Sequence, residues 1–333
     1  MNSYSSPTWT FDSSLVGFYP QCFYIVKSSA VDSANNGQSN FGTRRFRFTP
    51  PPAVTTITSP PNSPVRYQKT LSVIEGTVNI YTVSLQLTVR RFSDNFYWNF
   101  AGSGWQQAFS SATIMAPPAT WSYSTNIPPF VDGSSYVVRS SGTNINTIPE
   151  SSPAANLFYS DQTGPDTSIG LPSAPFYRSL PLVTGTAVDP PGTIPPAAGV
   201  SKTQVRITAV GGEFDGKVWD NATSTFVALA SWSSANNEGT YFTGAASSWS
   251  YTVSYPTAAW LNGGRYTVEA RALDKAYVNT SPAGNTGAFS SASAFDYDIE
   301  APTATVTSVS SGQRRSSVSI ASGTIHEKLV IAN

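Results

Sequence analysis

The chain has 333 residues, and its 19 basic and 19 acidic side chains give a formal net charge of zero, with only 11% of residues charged. This composition excludes a nucleic-acid-binding protein and a protein that binds anionic membranes, because both need a basic surface. The single Cys22 allows no disulfide within the chain, and the single His326 allows no Ser/His/Asp or Cys/His dyad outside the last few residues, so we do not expect an enzyme. No apolar run reaches the roughly 18 residues that a membrane-spanning helix needs.

The first segment, residues 1–49, carries motifs that recur later in the chain. A W-x-F motif begins at Trp9, a Y-x-V motif begins at Tyr24, and Asp32 follows that tyrosine after eight residues. Because this order of motifs closes each later copy, we expect residues 1–49 to be the rear half of a repeating unit.

Residues 50–162 are predicted to be a complete unit. Its front carries the strand-and-turn sequence LSVIEGTV at 71–78. Trp98 and Trp105 lie on two short runs separated by turn residues, a pattern typical of a hairpin. A W-x-Y motif at Trp121 then leads through Asp-Gly to a Y-x-V motif at Tyr136.

Residues 163–299 repeat this order and are predicted to be a second complete unit. LPLVTGTA at 180–187 matches the earlier strand-and-turn sequence, and Trp219 and Phe226 occupy the hairpin positions. Trp249 opens the W-x-Y motif, and Tyr266 lies 17 residues later, against 15 in each of the other two copies.

Residues 300–333 repeat the front of a unit only. VSIASGTI at 318–325 is a third copy of the strand-and-turn sequence. Each unit is expected to begin where a proline precedes a run rich in β-branched residues, since strands tolerate proline at their first position. These prolines are Pro52, Pro165 and Pro302.

The periodicity predicts an all-β fold. In residues 265–272, for example, apolar and polar side chains alternate, as in a strand with one buried face. About seven such strands in a unit indicate a two-sheet sandwich, and several in a row indicate a rod. The turn before each Y-x-V motif predicts a tyrosine corner, in which the phenol bonds to the backbone a few residues upstream, above a buried tryptophan. The predicted corner residues are Tyr24, Tyr136 and Tyr266, and the predicted core residues are Trp9, Trp121 and Trp249.

The recurring order of W-x-Y, Asp/Asn-Gly-x-x-Y-x-V and a closing proline resembles the tandem bacterial immunoglobulin-like repeats of large secreted surface proteins and adhesins. The resemblance covers nearly the whole chain. It implies Ig-like or fibronectin-III-like sandwiches without intrinsic catalysis, on a bacterial cell surface or outside the cell. The long insertions at 188–199 and 211–247 depart from the family pattern.

The aromatic hairpins allow two interpretations. Exposed indole faces could stack on sugars, which would make the chain an adhesin or a carbohydrate-binding module with a glycan or a host surface as partner. Alternatively these side chains belong to the core, which their recurrence at equivalent positions favours. The residues concerned are Trp98, Trp105, Trp219 and Phe226.

Acidic residues near the unit boundaries raise the question of calcium. The ion needs six to eight oxygen ligands, whereas each boundary offers one to three acidic side chains. The pattern therefore favours aspartates that cap turns and a chain without a cofactor. The residues are Asp32, Asp161, Asp274, Asp298 and Glu300.

These observations predict a structural stalk or fibre segment. Its partners would be neighbouring repeats of a longer chain or other copies of itself. In the second case the tail of one copy docks with the head of the next by strand addition, because residues 300–333 and 1–49 are complementary parts of one unit. A unit joined in this way would lack the aromatic hairpin.

Overall fold

The computed structural model describes residues 8–14, 16–62, 66–190, 197–242, 247–253, 259–308 and 311–327. Short β-strands make up most of the regular structure in these residues. Single 3-10 turns are present at Gly212–Phe214, Leu229–Ser231 and Ser234–Asn237. None of the helices in the described ranges is long and apolar enough to cross a membrane.

The first two strands form an isolated antiparallel hairpin, β1 (Phe23–Ser28) with β2 (Gly42–Arg47). Most of their side chains are exposed to solvent. The hairpin has no second sheet to pack against among the described residues.

Residues 50–162 contain a sandwich of two sheets. The smaller sheet has the order β10-β5-β3, with β3 at Thr55–Ser59, β5 at Ile74–Val78 and β10 at Thr120–Tyr123. The larger sheet has the order β4-β12-β11-β6-β7-β8, and β9 also pairs with β6. Its strands are β4 (Arg66–Thr70), β6 (Thr82–Arg91), β7 (Tyr97–Asn99), β8 (Gly104–Gln106), β9 (Ala112–Met115), β11 (Ser135–Asn144) and β12 (Ala154–Ser160). One apolar core fills the space between the two sheets.

Residues 163–299 form a second sandwich with the same connectivity. One sheet contains β13 (Asp166–Leu171), β15 (Leu182–Val188), β20 (Ser248–Thr252) and β19 (Glu238–Phe242). The other contains β16 (Val200–Val210), β21 (Gly264–Asp274), β24 (Ser293–Tyr297) and β14 (Phe176–Tyr177), with the hairpin β17 (Val218–Asp220) and β18 (Thr225–Val227). Because β19 pairs with both β20 and β16, it joins the two sheets along one side. A separate apolar core lies inside.

Between β21 and β24, a small hairpin leaves this second sandwich. Its strands are β22 (Tyr277–Val278) and β23 (Ser281–Pro282). The hairpin continues the larger sheet of the preceding sandwich, because β22 pairs in parallel with β4.

The last two strands, β25 (Thr303–Val306) and β26 (Gly323–His326), form a second isolated hairpin. It matches the first hairpin of each sandwich residue for residue. Thr305 faces Thr324 as Thr56 faces Thr77, and the two hydroxyl groups of each pair hydrogen bond at 2.6 Å and 2.7 Å. The all-β fold with two-sheet Ig-like sandwiches, predicted from the sequence, is thus confirmed.

Candidate functional site

The three predicted corner tyrosines make the same backbone hydrogen bond. The Tyr136 hydroxyl accepts the Val131 N–H at 2.9 Å, and the Tyr266 hydroxyl accepts the Leu261 N–H at 2.7 Å. In the first segment the Tyr24 hydroxyl accepts an N–H from the residue five positions upstream. The turns before these strands therefore have the geometry of a tyrosine corner, and the contribution of the bonds to stability is a prediction.

Each corner tyrosine belongs to a trio of aromatic rings that recurs with nearly the same spacing. Phe130 meets the Tyr136 ring edge-on at 4.9 Å, and that ring stacks on Phe158 at 5.5 Å. The corresponding distances are 4.9 and 5.6 Å in both other copies, for the trios Trp260–Tyr266–Phe295 and Phe18–Tyr24–Phe46.

The predicted core tryptophans behave differently in complete and incomplete units. Trp121 and Trp249 are buried, each facing a glycine on the neighbouring strand. A Cβ on Gly185 would lie 2.6 Å from the Trp249 ring, so only glycine fits there. The prediction is wrong for Trp9, which is 66% exposed. Its motif is the same, but the described part of residues 1–49 supplies no opposing sheet to cover it.

The aromatic hairpins contribute to the cores. Trp98 lies opposite Trp105, and Trp219 lies opposite Phe226. Trp98 and Trp219 are only 3% and 0% exposed, and Phe226 is also buried, so these faces cannot stack on a sugar. Trp105 is half-buried beneath the Arg91 guanidinium, 4.7 Å from its ring centroid. The interpretation as ligand-stacking platforms is therefore corrected in favour of core packing.

The junction between the two sandwiches is the most elaborate polar arrangement in the described chain. Strand β22 adds to the edge of β4, and the Asn279 N–H donates to the Thr70 carbonyl at 3.0 Å. Side chains reinforce the pairing. Gln68 Nε2 donates to the Asn279 carbonyl at 3.1 Å, and Lys69 Nζ donates to the Gly284 carbonyl at 3.0 Å.

Three carboxylates meet beside this strand pair. Asp161 follows β12, Asp189 follows β15 and Asp274 ends β21, and one oxygen of each lies within 4.8 Å of the others. Asn285 connects the two units here, because its Nδ2 donates to Asp274 Oδ2 and to the Asp161 carbonyl, both at 2.7 Å. The Ala198 N–H also donates to Asp161 Oδ2 at 2.7 Å.

Burial disfavours the charged form of two of these carboxylates. Desolvation, opposed by the bond from Ala198 and reinforced by Asp274, raises the pKa of Asp161 to about 6. Desolvation and the neighbouring Asp161 raise the pKa of Asp189 to about 7. Among the described residues no donor reaches Asp189 Oδ1, which is buried. At neutral pH Asp189 is therefore partly protonated.

The cluster is compatible with calcium, and the three carboxylates alone do not complete a coordination shell. All three donors are hard oxygen ligands of the kind calcium prefers, but the ion needs six to eight of them. Each carboxylate already accepts at least one N–H, and the Asn285 amide points a donor towards Asp161 and Asp274. The hydrogen bonds among the described residues thus occupy part of the oxygen set that a cation would use, while Asp189 Oδ1 accepts none.

The sequence identified Asp161 and Asp274 singly but missed Asp189 and Asn285. A usable signal was present for Asp189, which stands four residues after Gly185, as Glu327 stands four after Gly323. The other predicted acids cap turns. Asp298 accepts the N–H of exposed Glu300 at 2.9 Å, and Asp32 accepts the N–H groups of Ala34 and Asn36 at 2.9 and 2.8 Å.

No protein-family model matches the sequence, and no curated protein matches it. Among solved structures, a tetra-tandem repeat from the extending region of a large adhesion protein is 18% identical, with a TM-score of 0.27, covering 86% of this chain. This chain spans 59% of that structure's length. The FN1–FN3 domains of chicken CNTN1 are 13% identical, with a TM-score of 0.33. The match covers 84% of this chain and 77% of that structure. The fibronectin-III-like modules of Clostridium thermocellum CbhA are 10% identical, with a TM-score of 0.29. This match covers 74% of this chain and 94% of that structure. The sheets and cores described above, rather than these distant likenesses, define the fold of residues 50–299 as two Ig-like sandwiches in tandem.

Proposed function

We propose that this chain is a structural stalk or fibre segment of an extracellular, bacterial surface protein, in which consecutive Ig-like units are held in one relative orientation. The observation that carries the proposal is the addition of β22 from one unit to the edge strand β4 of the unit before it. A sheet that continues through the junction resists bending in a way that a simple linker does not.

The polar contacts at the junction support the same role. Separating the units would expose the bonds of Asn285 to Asp161 and of Gln68 to Asn279. Each such hydrogen bond contributes about 0.5–1.5 kcal/mol net, so several of them together with the strand pairing couple the two units. The low charge also suits a structural segment, because the surface carries no strongly basic or acidic field for steering a ligand.

Calorimetry of the whole chain tests this proposal. We expect residues 50–162 and 163–299 to unfold in one transition, which separates into two when Asn279 and Asn285 are both replaced by alanine. Asn79→Ala is the matched control, because the Asn79 side chain bonds to Pro52 and Thr82 within one unit. Two independent transitions in the unsubstituted chain would refute a stiff junction.

We also propose that the terminal segments associate head-to-tail between copies. The specific support is a matched pair of features. Trp9 faces no glycine in the described ranges, and the atoms nearest to a Cβ on Gly323 belong to the Thr305 and Val306 backbone. In both sandwiches this tryptophan and this glycine face each other across two antiparallel strands. A groove of about 620 Å³ between Trp9 and β1 would receive apolar side chains such as Ile325.

Sedimentation of the purified chain over a range of concentrations tests the association. We expect the average mass to rise with concentration, and Trp9→Ala to abolish the rise. Phe109→Ala is the control, because Phe109 is a similarly exposed aromatic residue, at 64%, outside the terminal segments. A monomer at every concentration would refute association without affecting the proposal of a stiff junction.

A further inference from the structure

At the junction between the two sandwiches, Asp274 and Asn285 form a set of hydrogen bonds that we call the clasp. The same set recurs in the first segment. At the junction, Asp274 Oδ1 accepts the Ala276 and Asn285 N–H groups, and Asp274 Oδ2 accepts Asn285 Nδ2 at 2.7 Å. In the first segment, Asp32 Oδ1 accepts the Ala34 and Asn36 N–H groups, and Asp32 Oδ2 accepts Asn36 Nδ2 at 2.8 Å. The two loops also share a backbone hydrogen bond, in which the aspartate N–H donates to the asparagine carbonyl at 3.1 Å in each.

The surface that receives the clasp is also duplicated. Asn285 donates to the carbonyl of Asp161, which stands three residues after Phe158 on β12. Asp298 stands three residues after the equivalent Phe295 on β24. The third carboxylate of the junction, Asp189, has its counterpart in Glu327, because each follows the glycine of the strand-and-turn sequence by four residues.

The middle unit uses different residues at its own end. Asn144 stands in place of the aspartate of the clasp, and its Oδ1 accepts the N–H groups of Asn146 and Ile148. Ile148 therefore occupies the position that Asn285 and Asn36 have in the other two copies. Correspondingly, Thr49 occupies the position of Asp161 at the end of the first segment. The junction between residues 1–49 and 50–162 therefore does not use the Asp–Asn clasp. Within the described parts of the chain, neither the Asp32–Asn36 clasp nor the Asp298 carbonyl has the partner that its copy has at the other junction.

We propose that these two halves belong to one joint between copies of this chain, in which Asn36 of one copy donates its side-chain amide to the Asp298 backbone carbonyl of the next. This inference rests on the head-to-tail association proposed above and specifies its contacts. Asp32, Asp298 and Glu327 then form the cluster that Asp274, Asp161 and Asp189 form within the chain. The partner to which we commit is a second copy, because each copy carries the Asp32–Asn36 clasp with Trp9 in one segment and Asp298 with Glu327 in another.

The strand register follows from the complete units. Trp121 lies opposite Gly76, and Ser122 lies opposite Glu75 in the same antiparallel pair. The composite unit accordingly pairs Trp9 with Gly323 and Thr10 with Ser322. Among the described residues this unit has no counterpart of β6 or β16, the strands that pair with β11 and β21 in the two sandwiches.

Two measurements on the full chain in a Cys22→Ser background test the joint. For the register, Thr10→Cys and Ser322→Cys are introduced into separate preparations, which are mixed and gently oxidised. We expect a disulfide-linked dimer of the two variants, while Thr10→Cys mixed with Ser316→Cys, which is out of register, gives none above background. Equal yields from both mixtures would overturn the register.

For the clasp, Asn36→Leu removes the amide at nearly constant volume, and Asn40→Leu in the same exposed loop is the control. Losing this bond should weaken association about tenfold, and the control should leave it unchanged. Association with normal affinity in Asn36→Leu would overturn the clasp while the head-to-tail proposal stands. The absence of any association in the unsubstituted chain would overturn both.

Discussion

Gly76 lies beneath the indole of Trp121 so closely that a methyl group added to its Cα would come within 2.5 Å of the ring. The same methyl would lie 1.9 Å from the Thr56 carbonyl oxygen on the other side. This pair, repeated as Gly185 and Trp249, explains why glycine recurs at this position in both sandwiches.

Gly76→Ala should therefore destabilise residues 50–162 severely, by about 3 kcal/mol or more, because neither the carbonyl nor the buried ring can move freely. Gly104→Ala is the control, since a Cβ there meets nothing closer than 4.0 Å. Denaturant unfolding measures the difference. A loss below about 1 kcal/mol in Gly76→Ala would show that the strands separate more easily than the packing indicates.

Tyr266→Phe removes the hydroxyl that accepts the Leu261 N–H and keeps the ring in its aromatic trio. We expect a loss of about 1–2 kcal/mol, the cost of a buried backbone donor without its partner. Tyr136→Phe should cost the other sandwich a similar amount. Unchanged thermal midpoints in both variants would assign the corner hydroxyls no role in stability.

The pKa values of Asp161 and Asp189 predict how stability depends on pH. Both lie above the ordinary value of 3.8, at about 6 and about 7, so the folded chain holds these protons more tightly than the unfolded chain does. Their effect on stability is most favourable below pH 4 and worsens as the pH rises through 6 and 7. The thermal midpoint should therefore decrease as the pH is raised from 5 to 8, by an amount set by the ionisation of these two carboxylates.

Asp189→Asn should reduce that dependence and stabilise the chain at pH 8, since the amide carries no charge to bury. Asp166→Asn, at an exposed aspartate of the same unit, is the control. Equal slopes of midpoint against pH for Asp189→Asn and the unsubstituted chain would contradict a buried, partly protonated cluster.

Calcium should leave the thermal midpoint unchanged, and so should a chelator. The reason is that the three junction carboxylates already bond to N–H groups, including the amide of Asn285. A ligand that binds only the folded chain raises its midpoint by mass action, so calorimetry at millimolar calcium detects binding. A rise of several degrees would show that the cluster rearranges into a metal site.

The sequence predicted the features that depend on local pattern and on repetition. Alternating apolar residues indicated the strands, and recurring Trp and Tyr motifs indicated equivalent positions in the units. The sequence did not predict that β22 pairs with β4, because a local pattern does not indicate which strand, some 200 residues away in another unit, will be the pairing partner. Trp9 illustrates the same limit, since its motif is ordinary and its exposure depends on a sheet that its own segment lacks.

The distance between the two sandwiches tests the account most directly. Spin labels at Ala101→Cys and Ala222→Cys, which occupy equivalent hairpin turns, report this distance in a Cys22→Ser background diluted with unlabelled protein. We expect one narrow distance distribution that broadens when Asn279 and Asn285 are replaced by alanine. A broad distribution in the parent chain, unaffected by these substitutions, would contradict a junction that fixes the orientation of the units.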